Sequence, residues 1–124
     1  LEQASRLGIS ARVELIGFQL EPWVLIRHAI AVVQASRWEG MSNVILESLA
    51  CGTPVVTTPQ AGGVAELVNE VPEFGLRLVD GTEHLTKTLD ELALTGKRLA
   101  GSSLLPESYT LESVVEQYQQ LIRE

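Results

Sequence analysis

The chain carries one cysteine, two histidines and only 5% aromatic residues. It is also short of basic side chains: nine Lys and Arg stand against sixteen Asp and Glu, a formal net charge of −7. A single cysteine excludes an internal disulfide and fits a reducing compartment, so a cytoplasmic location is expected. Cys51 itself falls among the small residues of an expected helix and reads as a packing residue rather than a nucleophile. The acidic balance argues against nucleic acid as a partner, since phosphates call for a basic footprint. No apolar run comes near the ~20 residues of a membrane-spanning helix. The opening residues, Leu1-Glu2-Gln3-Ala4-Ser5-Arg6, are polar and helix-like, unlike a secretory signal. The first residue is not Met, which gives the expectation of a piece of a longer polypeptide. Repeats, low-complexity tracts and linkers are missing too, so residues 1–124 are read as one single, partial domain.

What is present is 45% apolar residues against 20% charged ones, enough for a moderate core. The informative stretch runs from Ile30 to Thr58. Ile30 to Val33 is an apolar run short enough for a strand, and its nearly continuous apolar character argues burial on both faces. Then come Glu39-Gly40-Met41-Ser42-Asn43-Val44-Ile45-Leu46-Glu47 and an apolar segment at helical spacing, closed by Gly52. Pro54 leads into a second β-branched run, Val55-Val56-Thr57. This is one βαβ unit. In open parallel sheets ligands bind outside the carboxyl ends of the strands, which is where the loop from Arg37 to Ser42 should lie. Ser42 or Asn43 would cap the helix, whose free N–H groups and positive dipole end favour an anion such as phosphate. Gly40 lets backbone come close to a ligand. Glu39 and Glu47, ionised at neutral pH, suit paired sugar hydroxyls and would repel phosphate at direct contact. Without further motifs, the same two carboxylates could be solvated acids near a helix N-terminus.

The rest of the chain reads in order. Leu1 to Leu7 ends a helix at Gly8, and Arg12 to Gly17 reads as a strand. Glu21-Pro22 opens a short helix to Arg27 or His28. His28 and Arg37 read as surface residues, while Trp38 either packs the loop or walls a pocket. Thr58-Pro59-Gln60-Ala61-Gly62-Gly63 is a glycine-rich loop opening a short helix, and Gly62 and Gly63 are either a turn or a ligand contact. Gly75 to Val79 is a further strand, followed by a helix marked by Leu85, Leu89 and Leu92. Residues 96–106 read as a polar loop. From Thr110, a cap, Leu111, Val114, Val115, Tyr118, Leu121 and Ile122 form one helical stripe. The expected fold class is α/β: a partial Rossmann-like, three-layer domain with a mostly parallel sheet of about four strands, near 13–17, 30–34, 54–58 and 75–79. Arg12 to Gly17 is expected to close up beside Ile30 to Gln34, since an open apolar edge is an aggregation hazard.

Several of these segments together resemble one family. The Glu39-x7-Glu47 spacing, the Leu49-Ala50-Cys51-Gly52-Thr53-Pro54-Val55-Val56 run, Val13-Glu14-Leu15-Ile16-Gly17, Ala31 to Ser36, Gly62-Gly63-Val64-Ala65-Glu66, Phe74 to Val79 and Tyr109-Thr110-Leu111-Glu112 occur in the order seen in the nucleotide-binding half of retaining glycosyltransferases of family 4. The resemblance covers almost the whole chain. It implies the GT-B fold, with two Rossmann-like domains and the active site between them, and transfer of a sugar from a nucleotide-diphosphate sugar with retention. It places Glu39 near the donor sugar as the catalytic residue. Gly40, Met41, Ser42 and Asn43 would lie along the donor, the last three offering amides to sugar and diphosphate. Glu47 would hold the ribose hydroxyls, and Gly62 and Gly63 would line the same mouth. No metal and no cofactor beyond the nucleotide-sugar donor is implied. The partner is a carbohydrate or lipid-linked acceptor held by an N-terminal domain outside this chain, with association at the inner face of a membrane left open.

The resemblance also implies what the chain does not hold: the Arg and Lys that neutralise the diphosphate, two strands of the nucleotide-binding domain, and the acceptor domain. The isolated chain is therefore expected to be inactive. The family's closing helix packs across both domains, so part of the Leu111–Ile122 stripe is expected to be exposed. Competing readings are a nucleotide-sugar epimerase of the same overall fold, which lacks this Glu-x7-Glu and Gly-Thr-Pro-Val-Val arrangement, and a non-catalytic module that binds a nucleotide or a protein.

Overall fold

The structure, a computed structural model, describes residues 1–95 and 102–123. Three parallel strands form the sheet: β1 (Val32–Gln34), β2 (Val55–Thr57) and β3 (Leu76–Leu78), in spatial order β1-β2-β3. Val32 pairs with Val55, and Val55 with Leu76. Side chains alternate across a strand, so the sheet has two distinct faces. On one face Val55 and Leu76 join Ile45 and Leu49 of α3 (Asn43–Ala50) and Val64 and Leu67 of α4 (Val64–Leu67). On the other, Val56 and Val79 pack against Leu85, Leu89 and Leu92 of α5 (Gly81–Thr95). This is a three-layer α/β domain built from parallel crossovers, a partial Rossmann-like fold.

Local chemistry explains where α3 stops. Gly52 takes φ 72°, its N–H bonds the Leu49 carbonyl at 2.9 Å, and the Thr53 N–H bonds the Ser48 carbonyl at 2.9 Å. That pair of bonds satisfies the last carbonyls of the helix, and a left-handed residue at the corner favours glycine. Thr53 Oγ1 then donates to the Ile26 carbonyl at 2.8 Å, docking α2 (Pro22–His28) beside α3. Further on, α6 (Leu111–Arg123) is capped as expected, Thr110 Oγ1 accepting from the Ser113 N–H at 3.4 Å.

Three of the four expected strands are present, each within its expected bounds; the fourth, Arg12 to Gly17, is not. Arg12 ends a single 3₁₀ turn (Ser10–Arg12) after α1 (Glu2–Arg6), and residues 13–17 run exposed without a ladder partner. Nor do they close beside Ile30 to Gln34, since β1 pairs with β2 alone among the described strands. A β-branched run becomes a strand only where another strand satisfies its N–H and C=O groups. Here the connection into β1 runs through α2, which is fixed on α3 and not along the free β1 edge. For the same reason the expected burial of Ile30 to Val33 on both faces fails. Helix α5 lies under β2 and β3, which leaves Val33 45% and Ile30 55% exposed. The stripe on α6 is mostly exposed, as expected, with Leu111, Tyr118, Leu121 and Ile122 all in solvent. Of the loop expected over 96–106, residues 96–101 lie outside the described residues. No helix among the described residues is long and apolar enough to cross a membrane.

Candidate functional site

The carboxyl ends of β1 and β2 open onto two loops, residues 35–42 and 58–63, that lie against each other. Their contact is backbone on backbone. A Cβ added at Gly62 would land on the carbonyl oxygens of Glu39 and Gly40. Gly63 has φ 73°, and a Cβ there would meet Met41 Sδ at 2.5 Å. Gly62 is therefore a steric requirement of this approach, while Gly63 is favoured by its left-handed φ, since the Met41 side chain can move aside. Thr58 Oγ1 ties the same loops together by donating to the Ser36 carbonyl at 2.8 Å.

The glutamates fall in different settings. Glu39 is half-buried and its carboxylate accepts a hydrogen bond from Gln34 Nε2. Glu47 is exposed, one turn into α3, on the side that also carries exposed Asn43. The opposite side of α3, with Ile45, Ser48 and Leu49, is fully buried. Met41 is exposed at the loop tip and Ser42 is 6% exposed beneath it. Ser42 starts α3 in extended backbone, φ −84° and ψ 113°, yet its hydroxyl makes no capping bond. It donates instead to Gln34 Oε1 at 2.9 Å. The structure thus brings together Glu39, Gly40, Met41, Ser42, Gly62 and Gly63, with Asn43 at the helix start and Glu47 one turn deeper.

Gln34 was missed as a site residue. It ends β1 on the α3 side of the sheet, in register with Thr57, and its amide joins the loop to the helix start. The available signal was its polarity: a glutamine closing the apolar run Val32-Val33 needs partners for both amide atoms. Trp38 is 87% exposed and does not pack the loop. His28 is exposed on α2, with Nδ1 against the Val24 carbonyl at 2.7 Å, and Arg37 is exposed as expected.

One cavity of about 170 Å³ opens on the α5 face by Val33, Val56 and Leu85, and its lining also takes in Gln34, Ala35 and Thr58 at the base of the two loops. Another of about 350 Å³ sits between β3 and α5, by Arg77, His84 and Lys87, and shares no residue with the two loops. The chemistry of the loops, not cavity volume, marks the site. No group of three or more His, Cys, Asp or Glu that could hold a metal ion occurs among the described residues. Behind the second loop, α4 is joined to the C-terminal segment. Ser108 Oγ donates to Glu70 at 2.6 Å. Burial pushes the Tyr109 phenol above its usual pKa, helped by the Glu66 and Glu70 carboxylates and by a hydrogen bond to Glu66.

Comparison with known proteins agrees with this geometry. The family described as Glycosyl transferases group 1 matches residues 1–94. A Campylobacter jejuni N-acetylgalactosamine-N,N'-diacetylbacillosaminyl-diphospho-undecaprenol 4-alpha-N-acetylgalactosaminyltransferase is 40% identical over 70 residues, covering 56% of this chain and 19% of that protein. The lipopolysaccharide core biosynthesis glycosyltransferase LpsE of Rhizobium meliloti is 30% identical over 125 residues, covering 96% of this chain and 36% of that protein. Among solved structures, Anabaena Alr3699/HepE in complex with UDP-glucose superposes with a TM-score of 0.74 at 26% identity, covering 98% of this chain and 34% of that one. The chain spans only about a third, or less, of the length of these relatives. Most of its own length, however, falls inside one family's pattern, and the chain belongs to the glycosyl transferases group 1 family.

Proposed function

We propose that this chain supplies the donor-binding part of a retaining, family 4, hexosyltransferase-like enzyme, one that moves a sugar from a nucleotide-diphosphate sugar to a carbohydrate or lipid-linked acceptor. The observation that carries the reading is the convergence of the Glu39–Asn43 loop, the Gly62-Gly63 loop and the start of α3 at the carboxyl end of a parallel sheet. A helix start without a side-chain cap suits a diphosphate. Glu47 suits vicinal ribose hydroxyls, because an ionised carboxylate accepts two such bonds at once. Glu39, anchored by Gln34, faces the donor sugar. The leaving diphosphate itself takes the acceptor proton, so no side chain of this chain serves as nucleophile. Solved HepE complexes hold UDP and UDP-glucose, which makes these the first nucleotide and donor to try. The acceptor is held by a domain outside this chain, and the reaction takes place in the cytoplasm without metal or cofactor.

In the full-length transferase, Glu47→Gln is expected to weaken UDP binding by about 1.5–3 kcal/mol, the range for hydrogen bonds to a charged group. Glu39→Gln is expected to lower turnover more than UDP affinity. Calorimetry with UDP and a UDP-glucose hydrolysis assay separate the two roles, and unchanged UDP affinity in the Glu47 variant would remove its assignment to the ribose. The 124-residue chain alone is expected to transfer no sugar and to bind UDP no tighter than about millimolar.

A further inference from the structure

Resting on that functional reading, we propose that Gln34 is a positioning residue that holds the donor loop ready for a nucleotide sugar, orienting Glu39 with its amide nitrogen and keeping the Ser42 hydroxyl off the start of α3 with its amide oxygen. The carboxylate of Glu39 can only accept, so the nitrogen of the Gln34 amide must face it. The same nitrogen lies 3.3 Å from Ser36 Oγ, in the loop that Thr58 clamps. The oxygen is left for Ser42, which donates to it at 2.9 Å. One side chain on a paired strand therefore fixes three points of an otherwise irregular loop.

The second half of the proposal follows from what Ser42 does not do. A serine at this position ordinarily accepts a hydrogen bond from the second or third helical N–H, here Val44 or Ile45. In this chain it makes no such bond. The helix start is thus left without a side-chain cap, with the helix dipole behind it. An apolar residue at position 34 would release the Ser42 hydroxyl to cap α3, in competition with the diphosphate, and would leave Glu39 without its anchor.

The test uses the full-length transferase with Gln34→Leu, Ser42→Ala and the two combined, with UDP as nucleotide and UDP-glucose as donor. Hydrogen–deuterium exchange at the Val44 and Ile45 amides is expected to slow in Gln34→Leu and to recover in the double variant. The Kd for UDP is expected to rise about fivefold in Gln34→Leu, the equivalent of one helix cap, and to recover in the double variant. The kcat for UDP-glucose is expected to fall by about tenfold to a hundredfold through misplacement of Glu39, without recovery in the double variant. A merely structural glutamine would lower Tm and weaken UDP binding in both Gln34 variants alike, and that pattern overturns the proposal. So do unchanged exchange and unchanged kcat in Gln34→Leu. A parent protein that binds neither UDP nor UDP-glucose refutes the functional reading instead, and the exchange pattern then decides alone whether Gln34 controls Ser42.

Discussion

Residues 5–21 and residues 42–79 are written in a similar alphabet and end in opposite conditions. Every residue from Ser5 to Glu21 is exposed, including Leu15 at 71% and Phe18 at 90%. Among the described residues, all the buried hydrophobic ones except Ala4 and Leu92 lie between Ile45 and Val79. Val13-Glu14-Leu15-Ile16 alternates much as a strand should, and Val55-Val56-Thr57 is one. The difference is company. Val55 has ladder partners on both sides and a helix on each face, while Leu15 has neither. Local pattern offers a segment to a sheet; neighbours make it a strand.

The sharpest way to break this comparison is to remove a leucine from each region of the 124-residue chain. Leu49 is 0% exposed between α4 and the sheet. Leu49→Ala is expected to cost about 2–5 kcal/mol, transfer and cavity terms together. Leu15→Ala is expected to stay within about 0.5 kcal/mol. Urea denaturation measures both, and a Leu15 effect approaching that of Leu49 would show that the N-terminal segment pairs in solution.

A smaller effect compares two glycines of the same mouth. A Cβ at Gly40 would meet nothing within 4 Å, whereas one at Gly62 would strike the backbone of the facing loop. Gly62→Ala is expected to destabilise by about 1–3 kcal/mol as the loops move apart, and Gly40→Ala by less than about 0.5 kcal/mol. Amide spectra of the two variants should show it: shifts across residues 36–43 for Gly62→Ala, shifts confined to nearest neighbours for Gly40→Ala.

Within the packed region the sequence was a good guide, for physical reasons that can be named. Helix α3 was legible because Ile45 and Leu49 recur at helical spacing and Gly52 closes them. The juxtaposition of the two loops was legible only as a shared end of the sheet. That Gly62 packs on Glu39 depends on the depth of β2 relative to β1, which no local pattern encodes. Gln34 gave only the faint signal of a polar residue closing an apolar run, because its hydrogen bonds reach across five and eight residues of loop. The Arg12–Gly17 run has the residue types of a strand, and whether a neighbouring strand satisfies its backbone is set by the rest of the fold and not by local pattern.

Tyr109 tests the seam between the packed region and the C-terminal segment. Its phenol pKa is raised by burial first and by Glu66 and Glu70 next. A group whose folded pKa lies above its unfolded value holds its proton more tightly when folded. Its contribution to stability is complete below about pH 10, the unfolded phenol value, and is lost as pH rises through the folded value. Unfolding free energies measured from pH 8 to 11 should fall along an alkaline limb in the parent chain. That limb should shrink in Tyr109→Phe, and an identical limb in both would detach Tyr109 from the seam.

The smallest expected effect lies on the other face of β3. Arg77 follows Leu76 and turns toward α5, where its guanidinium pairs with Glu91 at 2.9 Å. The pair is partly exposed, 27% for Arg77 and 49% for Glu91, so water and salt screen it. Glu91→Gln is expected to cost no more than about 1 kcal/mol, and less as ionic strength rises. The interior of the same side chain is less well served, because Arg77 Nε is buried without a hydrogen-bond partner. Arg77→Met removes that orphaned donor together with the ion pair while keeping the apolar stem, and an unpaired buried donor is costly to leave unmade. The two terms oppose each other, so Arg77→Met is expected to be neutral within about 0.5 kcal/mol, less harmful than Glu91→Gln, which leaves the cation without its partner. Urea denaturation of the two variants at low and high salt reads the order directly. If Arg77→Met is the worse of the two, the guanidinium contributes more to the α5 face than its single ion pair accounts for.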